Sequence, residues 1–237
     1  MNVALIIAGG NGSRMKQEIP KQFLTVMNKP IIIYTLEKFQ NHPGIDKIQV
    51  VCLKGWEEIL KAYAKQYNIT KLMDVVPGGC TGQESIANGV TSLKGICSKD
   101  DLVIIHDAVR PVINDEIISD CLVKASEHGN AVSSIPIVET IIKTSDKISG
   151  KESIPRDSIM RVQTPQCYKY DKLVWAYDEA KKRNITNTTY VNTLFVELGE
   201  TLYFSSGSEK NIKITTIDDL EVFKAFLQNN NDDGLKR

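Results

Sequence analysis

A glycine-rich turn followed by two basic residues lies near the N-terminus, in the stretch IIAGGNGSRMKQEIPKQFL. Its glycines, Gly9, Gly10 and Gly12, allow main-chain N–H groups to approach an anion closely. Arg14 and Lys21 add fixed positive charge, and the proline before Lys21 restricts the backbone there. This combination predicts a cradle for phosphate groups. A tight turn between a strand and a helix is the alternative interpretation of the glycines.

Two common phosphate-binding motifs do not fit this turn. A Walker loop requires Gly-Lys-Ser/Thr after its glycines, whereas Gly12 is followed by Ser13 and Arg14. A dinucleotide fingerprint requires a third glycine at the position of Met15. It also requires an acidic residue at the end of the next strand, where IQVVCLK has none. The turn therefore predicts a phosphate site of another kind.

The motif HDAVRP, at residues 106–111, places a carboxylate directly after an apolar run. Asp107 is expected near the phosphate cradle, because the carboxyl ends of parallel strands meet at one edge of a sheet. Mg²⁺ takes one or two carboxylates together with phosphate oxygens, so Asp107 is the candidate metal ligand. The alternatives are a helix cap or an ion pair with Arg110. We expect His106 to be a hydrogen-bonded structural residue rather than a ligand.

Short β-branched runs alternate with amphipathic stretches along most of the chain. Strands are expected at VALII, IQVVCL, LMDVV, LVIIH, AVSSIPIV, ETLYFS and NIKIT. Helices are expected at IIIYTLEKFQ, WEEILKAYAKQY, ESIANGVTSL, EIISDCLVKASEH and TIDDLEVFKAFL, the last with a threonine or aspartate cap. This alternation is typical of βαβ units around a buried parallel sheet. Ligands of such folds bind at the carboxyl edge of the sheet, where the glycine turn and Asp107 are expected.

We expect a single domain over residues 1–237, with two segments outside the regular pattern. Residues 141–158, IIKTSDKISGKESIPRDS, are polar and rich in turn residues. A loop of that length without structure of its own is uncommon in a compact domain, which favours a projecting β-arm. Residues 228–237, QNNNDDGLKR, are polar and are expected to be frayed.

The composition argues against several classes of function. The chain has 237 residues, with 29 basic and 29 acidic side chains and a formal net charge of +0. Nothing in this balance indicates a partner that is a nucleic acid or an anionic membrane. The apolar run near Met1 is too short for a signal peptide or a membrane span. Five scattered cysteines without a C-x-x-C pair indicate reduced thiols, so we expect a cytoplasmic protein.

Four motifs in order resemble one family of enzymes. AGGNGSRM with PKQF, HDAVRP, QTPQ and GSEKNIKITTIDDL are similar to motifs of the polyol-phosphate cytidylyltransferases, from Ala8 to Leu220. The family comprises the 2-C-methyl-D-erythritol 4-phosphate enzymes of isoprenoid synthesis and the ribitol 5-phosphate enzymes of teichoic-acid and capsule synthesis. The resemblance implies an open Rossmann-like α/β fold of the nucleotide-diphospho-sugar transferase type, with a mostly parallel sheet. It also implies transfer of CMP from CTP to a phosphorylated polyol, with release of pyrophosphate.

The resemblance implies roles for individual residues. Arg14 would bind the outer phosphates of CTP, while Lys21 and Lys213 would contact the α-phosphate, where charge builds as the bond to pyrophosphate breaks. The acceptor's own phosphate, with a second pKa near ~6, would attack without a general base. Gly78, Gly79 and Ser85 would bind the cytosine base and recognise it. The nucleotide-binding set implied in this way, with Asp107 as the Mg²⁺ ligand, is Ala8, Gly9, Gly10, Gly12, Gly78, Gly79, Ser85 and Asp107.

The polar arm acquires a role from the same resemblance. In the family it crosses to a second subunit, so Thr140 and Arg156 would bind the polyol phosphate in the partner's active site. Thr164 of QTPQ would lie close by, and Arg110 is a further candidate for this phosphate. A homodimer is therefore implied; a solvated loop with an unrelated arginine is the alternative.

The chain departs from the family pattern at two places. Gly82 stands where the family usually has arginine. The segment TYVNT, at residues 189–193, lacks the aspartate of the family's TDxxS-type motif. The pair of glycines in AGG and the valine of HDAVRP favour the ribitol branch, and both branches stay open.

Two other functions stay open as well. A sugar-1-phosphate nucleotidyltransferase that uses UTP or dTTP would share the scaffold and the glycine-rich start, although QTPQ and NIKIT fit the cytidylyl family better. A catalytically silent nucleotide-binding paralogue is the second alternative, because of the two departures. Lys21 and Lys213 argue against it, since a protein that only binds nucleotide has no reason to keep two lysines aimed at one α-phosphate.

Overall fold

The structure is a computed structural model that describes residues 1–10, 19–186, 188 and 190–232. The strands are β1 (Asn2–Ala8), β2 (Thr25–Val26), β3 (Lys29–Pro30), β4 (Lys47–Cys52), β5 (Leu72–Pro77), β6 (Leu102–Asp107), β7 (Asn130–Pro136), β8 (Ile141–Lys143), β9 (Glu152–Ile154), β10 (Met160–Lys169) and β11 (Phe204–Ser206). The α-helices are α1 (Ile31–Asn41), α2 (Glu57–Gln66), α3 (Gly82–Ser92), α4 (Asp115–His128), α5 (Tyr170–Lys182), α6 (Val191–Glu197) and α7 (Ile217–Asp232). Short 3₁₀ helices cover Lys21–Phe23 and Arg156–Ser158.

A seven-stranded sheet in the order β11-β7-β10-β6-β1-β4-β5 forms the centre of the molecule. Strand β1 is parallel to both of its neighbours, β4 and β6. Only β10 runs antiparallel to its neighbours within this sheet. From β1 the chain continues to β4 and β5 on one side and then crosses to β6 on the other side of β1, so the topological switch point lies at the carboxyl ends of β1 and β6. The expected mostly parallel α/β fold is confirmed.

The first strand is apolar from Val3 to Ala8 because helices cover both faces of the sheet. Val3 and Leu5 point to the face covered by α3, α5 and α6. Ala4 and Ile6 point to the opposite face, which α1, α2 and α4 cover. A strand enclosed on both sides shows a continuous apolar run rather than alternation.

The expected strand at NIKIT is wrong. Residues 211–215 have no regular structure and are held by individual hydrogen bonds to the segment after β6. The N–H of Ile214 donates to the carbonyl of Val109 over 2.9 Å. The guanidinium of Arg110 donates to the carbonyl of Asn211 over 2.7 Å. The segment therefore lies beside HDAVRP without joining a sheet.

Strand β10 was not predicted, because its sequence looks like a loop. It contains the polar run QTPQ, and Pro165 cannot donate to a sheet ladder. Its pairing with β7 shifts register between Val162 and Gln166, which accommodates this run. The helices α5 and α6 were also not predicted. The expected strand at ETLYFS is restricted to β11.

The polar segment 141–158 forms a separate antiparallel hairpin of β8 and β9, as the β-arm prediction requires. Its turn is built around Asp146, whose carboxylate accepts from the N–H groups of Ile148 and Ser149, both over 2.9 Å. The side chain of Ile148, at the tip, is 91% exposed. The arm therefore carries an apolar side chain away from the core.

The last helix, α7, begins with a reciprocal cap. The N–H of Asp219 donates to the Thr216 hydroxyl over 3.2 Å, and the Asp219 carboxylate accepts from the N–H of Thr216 over 2.8 Å. The expected threonine cap is confirmed. The helix continues to Asp232, so residues 228–232, which were expected to be frayed, are helical. Residues 233–237 lie outside the described part of the chain.

Candidate functional site

A cavity of about 420 Å³ lies at the carboxyl edge of β1 and β6. The turn after β1, the start of α3, the end of β6 and the segment 211–215 contribute to its walls. The glycine turn and Asp107 therefore meet at one edge, as predicted. Gly12 and Arg14 lie outside the described residues, so their predicted roles stay predictions.

The glycine turns after β1 and β5 pack against each other. The N–H of Gly78 donates to the carbonyl of Cys52 over 2.7 Å. A Cβ atom on Gly78 would lie 3.3 Å from the Cα of Gly9 and 3.1 Å from the hydroxyl of Ser85. A Cβ on Gly79 would lie 2.3 Å from the Cβ of Glu84, which no side chain tolerates. The close packing of the two turns therefore requires glycine at both positions, and the main chain of Gly79 borders the cavity beside Gly9 and Gly10.

Ser85 holds the second glycine turn in place. Its hydroxyl accepts from the N–H of Gly79 over 3.0 Å and donates to the carbonyl of Thr81 over 2.9 Å. Since a hydroxyl has one donor and two acceptor sites, Ser85 keeps one acceptor site for a ligand. Thr81 and Glu84 form a capping box at the start of α3, which borders the cavity with the positive end of its dipole.

Gln22 also shapes the first glycine turn, and the sequence did not single it out. Its buried amide donates to the carbonyls of Ala8 over 2.7 Å and Gly10 over 2.9 Å. These bonds fix the chain on both sides of Gly9. A glutamine directly after the predicted catalytic lysine was the available signal, but glutamines are common at surfaces and carried no specific prediction.

Lys21 and Lys213 both border the cavity, and the side chain of Lys21 binds the main chain of the residue that follows Lys213. Lys21 begins a 3₁₀ helix after Pro20, whose φ of −58° directs the chain into that turn. Its ammonium donates to the carbonyl of Ile214 over 3.0 Å. The structure therefore brings together the two lysines that the resemblance assigned to one phosphate.

Asp107 is the centre of a charge cluster at the end of β6. Its carboxylate lies 3.1 Å from the ammonium of Lys213 and 3.1 Å from Nε of Arg110. The N–H of Asp107 donates to the Thr164 hydroxyl over 3.1 Å. Three predicted site residues, Arg110, Thr164 and Lys213, thus contact Asp107 directly.

The cluster is charged at neutral pH. Burial raises the pKa of the Asp107 carboxyl, but Lys213 and Arg110 outweigh burial, so this pKa lies below its ordinary value. Burial lowers the pKa of the Lys213 ammonium, but Asp107 and Tyr190 outweigh it, so this pKa lies above its ordinary value. The acid and the base hold each other ionised.

The donor set around Asp107 does not by itself build a metal site. Both carboxylate oxygens already accept from cations, at 3.1 Å from Lys213 and 3.1 Å from Arg110. Within the described ranges, no three His, Cys, Asp or Glu side chains are grouped so that they could hold a metal ion. The geometry supports the ion pair with Arg110 that was the alternative. The role of Asp107 as a Mg²⁺ ligand stays a prediction.

His106 is a buried structural residue, in agreement with the expectation. Its Nε2 lies 3.2 Å from the carbonyl of Arg110, and its ring contacts that of Phe39. Burial lowers the pKa of the imidazole to about 4, so the ring is neutral at physiological pH.

Tyr190 was not predicted as a site residue, because it lies in one of the two segments that depart from the family pattern. Its hydroxyl is hydrogen-bonded to the ammonium of Lys213, which also lies 4.9 Å from the centre of the tyrosine ring. A side lobe of about 80 Å³, bordered by Arg110 and Thr164, adjoins the main cavity, and Tyr190 borders both spaces.

The two arm residues do not reach the cavity of their own subunit. Thr140 is exposed, and Arg156 donates to the carbonyl of Val138 over 3.1 Å at the base of the arm. Neither is among the described residues that border the cavity. This placement leaves open the predicted role in a partner's site.

Comparison with known proteins places the chain in a family. Residues 2–229 match the family model described as IspD: 2-C-methyl-D-erythritol 4-phosphate cytidylyltransferase. The chain belongs to this family. Its members are nucleotidyltransferases, so the expected enzyme class is confirmed. No helix within the described residues is long and apolar enough to cross a membrane.

Individual relatives in the cytidylyltransferase family carry two names. A ribitol-5-phosphate cytidylyltransferase of Lacticaseibacillus paracasei is 50% identical, over 96% of this chain and 98% of the relative. A 2-C-methyl-D-erythritol 4-phosphate cytidylyltransferase of Clostridium botulinum is 37% identical, over 96% and 97%. The crystal structure of the Francisella tularensis 2-C-methyl-D-erythritol 4-phosphate enzyme superposes with a TM-score of 0.76 at 30% identity, covering 94% of this chain and 98% of that one.

Proposed function

We propose that the protein transfers CMP from CTP to ribitol 5-phosphate and releases pyrophosphate. The convergence of Lys21 and Lys213 on the cavity that the glycine turns border carries the proposal. Two lysines that border one cavity suit a phosphorus centre on which charge develops. The relative of 50% identity, named for ribitol 5-phosphate, favours that acceptor over 2-C-methyl-D-erythritol 4-phosphate.

The part of the cavity beside the two glycine turns would receive the cytosine base. The main chain of Gly79 borders the cavity there, and the free acceptor site of Ser85 suits the exocyclic amine of cytosine. The triphosphate would then extend toward the glycine turn after β1, where Gly9 and Gly10 supply main-chain N–H groups.

The acceptor would enter beside the charge cluster. Its phosphate, largely a dianion at neutral pH, would attack the α-phosphorus of CTP. The new P–O bond forms as the bond between the α-phosphorus and the bridging oxygen breaks, and pyrophosphate leaves with the electron pair. Lys21 and Lys213 stabilise the charge on the α-phosphate. No proton must be removed from the nucleophile, and so the neutral His106 has no required part.

We propose that Mg²⁺ enters with the triphosphate rather than with a prebuilt protein site. Asp107 could supply at most one carboxylate ligand, and phosphate oxygens would provide others. The ion would neutralise phosphate charge when bound.

We also propose that the protein is a homodimer whose arms exchange. The arm and its base expose Val138, Ile142 and Ile148. An antiparallel hairpin with exposed apolar side chains gains from packing on a second subunit. Arg156, at the base of the arm, would then reach the acceptor phosphate bound by the partner.

A cytoplasmic location is the remaining part of the proposal. All five cysteines, Cys52, Cys80, Cys97, Cys121 and Cys167, are free thiols. Free thiols in this number fit a reducing compartment.

The proposed reaction is tested by pyrophosphate release from the purified protein with Mg²⁺ and CTP. Ribitol 5-phosphate, 2-C-methyl-D-erythritol 4-phosphate and no acceptor are compared, and UTP and dTTP replace CTP in parallel. We expect turnover only with CTP, and a kcat/KM for ribitol 5-phosphate at least about tenfold above that for the erythritol compound. A reversed order would overturn the acceptor, and turnover with UTP or dTTP would overturn the nucleotide.

A further inference from the structure

We propose that the phenolic O–H of Tyr190 donates a hydrogen bond to the phosphate of the acceptor, so that Tyr190 is a substrate-binding residue. The inference rests on the proposed function for the identity of that phosphate. It concerns a position where this chain departs from its family, since Tyr190 aligns with the aspartate of the TDxxS-type motif.

Tyr190 lies at a junction within the site. It borders the main cavity and the side lobe, and it directly precedes α6. Its main chain is fixed by Thr193, whose hydroxyl donates to the Tyr190 carbonyl over 2.7 Å and accepts from the Tyr190 N–H over 3.2 Å. The tyrosine side chain therefore extends from a fixed point rather than from a loose loop.

Gln83 connects the preceding segment to the nucleotide side of the cavity. Its amide donates to the carbonyl of Ile185 over 2.9 Å and accepts from the N–H of Thr188 over 2.9 Å. Gln83 directly follows Gly82, the other position at which the chain departs from the family. Both departures thus lie on elements that border the same cavity.

The hydrogen bond to Lys213 determines what the phenol can still do. An ammonium group only donates, so the phenolic oxygen accepts from Lys213 and keeps its own hydrogen. Among the described residues, that hydrogen has no acceptor. Because Tyr190 borders both the cavity and the side lobe, this O–H can donate to an oxygen of a ligand bound there.

The charges nearby identify this oxygen as anionic. Lys213 and Arg110 each lie 3.1 Å from Asp107, so two cations face one carboxylate and the cluster carries a net positive charge. An acceptor phosphate in the side lobe, which Arg110 borders together with Tyr190, would accept charge-assisted hydrogen bonds from Arg110 and from the Tyr190 hydroxyl. An aspartate in place of Tyr190 would accept only, and its charge would repel the phosphate.

The test compares Tyr190→Phe and Tyr190→Asp by steady-state kinetics with CTP and ribitol 5-phosphate. For Tyr190→Phe we expect the KM for the acceptor to rise about tenfold, which is the loss of one hydrogen bond to a charged group, with an unchanged KM for CTP. For Tyr190→Asp we expect a larger rise. If Tyr190 served only to position Lys213, an aspartate could pair with that ammonium, whereas a phenylalanine could not. Tyr190→Asp would then be more active than Tyr190→Phe, and this result would overturn the proposal.

A matched control removes a hydroxyl elsewhere. The hydroxyl of Tyr67 donates to the carbonyl of Asn28 over 3.1 Å, outside the described cavity walls. Tyr67→Phe is expected to keep both KM values. The melting temperatures of all variants are compared, so that a loss of folding is distinguished from a loss of binding.

Inorganic phosphate separates this proposal from the proposed function. We expect phosphate to raise the melting temperature of the wild-type protein, to raise that of Tyr190→Phe less, and to raise that of Tyr190→Asp least. This readout needs no turnover. The same order without any turnover of ribitol 5-phosphate would support the role of Tyr190 while overturning the acceptor; equal shifts in all three proteins would overturn the role of Tyr190.

Discussion

The ammonium of Lys21 donates to the main-chain carbonyl of Ile214 over 3.0 Å, although 193 positions separate the two residues in the sequence. The N–H of Ile214 in turn donates to the carbonyl of Val109, the valine of HDAVRP. Since Lys213 precedes Ile214, one main-chain unit sets the positions of both lysines relative to the end of β6. Main-chain contacts of the fold therefore direct both lysines to the same cavity.

The charge cluster predicts that Asp107→Asn is strongly destabilising. The substitution keeps the shape of the side chain but leaves Lys213 and Arg110, both largely buried, without their counter-charge. We expect the free energy of unfolding to fall by about 3 kcal/mol, measured by urea denaturation. Inorganic phosphate is expected to restore part of this loss because it supplies negative charge.

The control for that substitution is Asp100→Asn. Asp100 pairs with Lys169 over 2.9 Å at the surface, where its side chain is 85% exposed. Exposed pairs of this kind contribute at most about 1 kcal/mol. Equal effects of the two substitutions would contradict a buried, mutually dependent cluster.

Burial of His106 predicts that the free energy of unfolding decreases in mild acid. Burial lowers the pKa of its imidazole to about 4, below the value of roughly 6.5 expected for the unfolded chain. Between these two pKa values the unfolded state binds more protons than the folded state. The contribution of His106 to the free energy of unfolding is therefore fully present above the pKa of the unfolded state and is lost as the pH falls toward the pKa of the folded state. From pH 7 to pH 5 we expect His106 to account for a loss of about 2 kcal/mol.

Urea unfolding of His106→Gln at several pH values measures this contribution. The variant is expected to lose this part of the pH dependence, whatever its stability at pH 7. His128→Gln is the matched control, since His128 is exposed at the end of α4. A pH dependence that survives in His106→Gln would show that another group is responsible.

The arm predicts that two inactive variants restore each other. In a mixture of Lys21→Ala and Arg156→Ala subunits, each mixed dimer would contain one site with an intact lysine and an intact partner arm. After refolding in equal amounts, we expect about a quarter of the wild-type rate. An arm that serves its own subunit would leave every site defective, and the mixture would stay as inactive as its components.

Patterns that depend on local sequence were the reliable part of the sequence analysis. The apolar runs of β1, β4 and β6 identified buried parallel strands, because both faces of each strand are covered. The polar segment 141–158 identified the hairpin. Strand β10 was missed because QTPQ interrupts its apolar pattern, and the strand expected at NIKIT is wrong because that segment is held by tertiary contacts.

Site residues could be predicted from the sequence only where the residue type and its local spacing indicate a specific chemistry. Glycines, lysines and one aspartate in characteristic spacings indicated phosphate chemistry, and the fold brings Lys21, Asp107 and Lys213 to one cavity. Gln22 and Tyr190 were not found, since glutamine and tyrosine have many structural uses and their roles follow from partners distant in sequence. The paired state of Asp107 likewise depends on Lys213, 106 positions away.

The most direct test of convergent lysines at the α-phosphate is the kinetics of Lys21→Ala with CTP and ribitol 5-phosphate. Lys172→Ala serves as control, since Lys172 pairs with Glu200 over 3.1 Å and does not border the described cavity. We expect kcat to fall about 10²- to 10³-fold in Lys21→Ala with little change in the KM for CTP, because the contact strengthens in the transition state. An unchanged kcat with a raised KM would mean that Lys21 only binds the nucleotide, and would contradict the account.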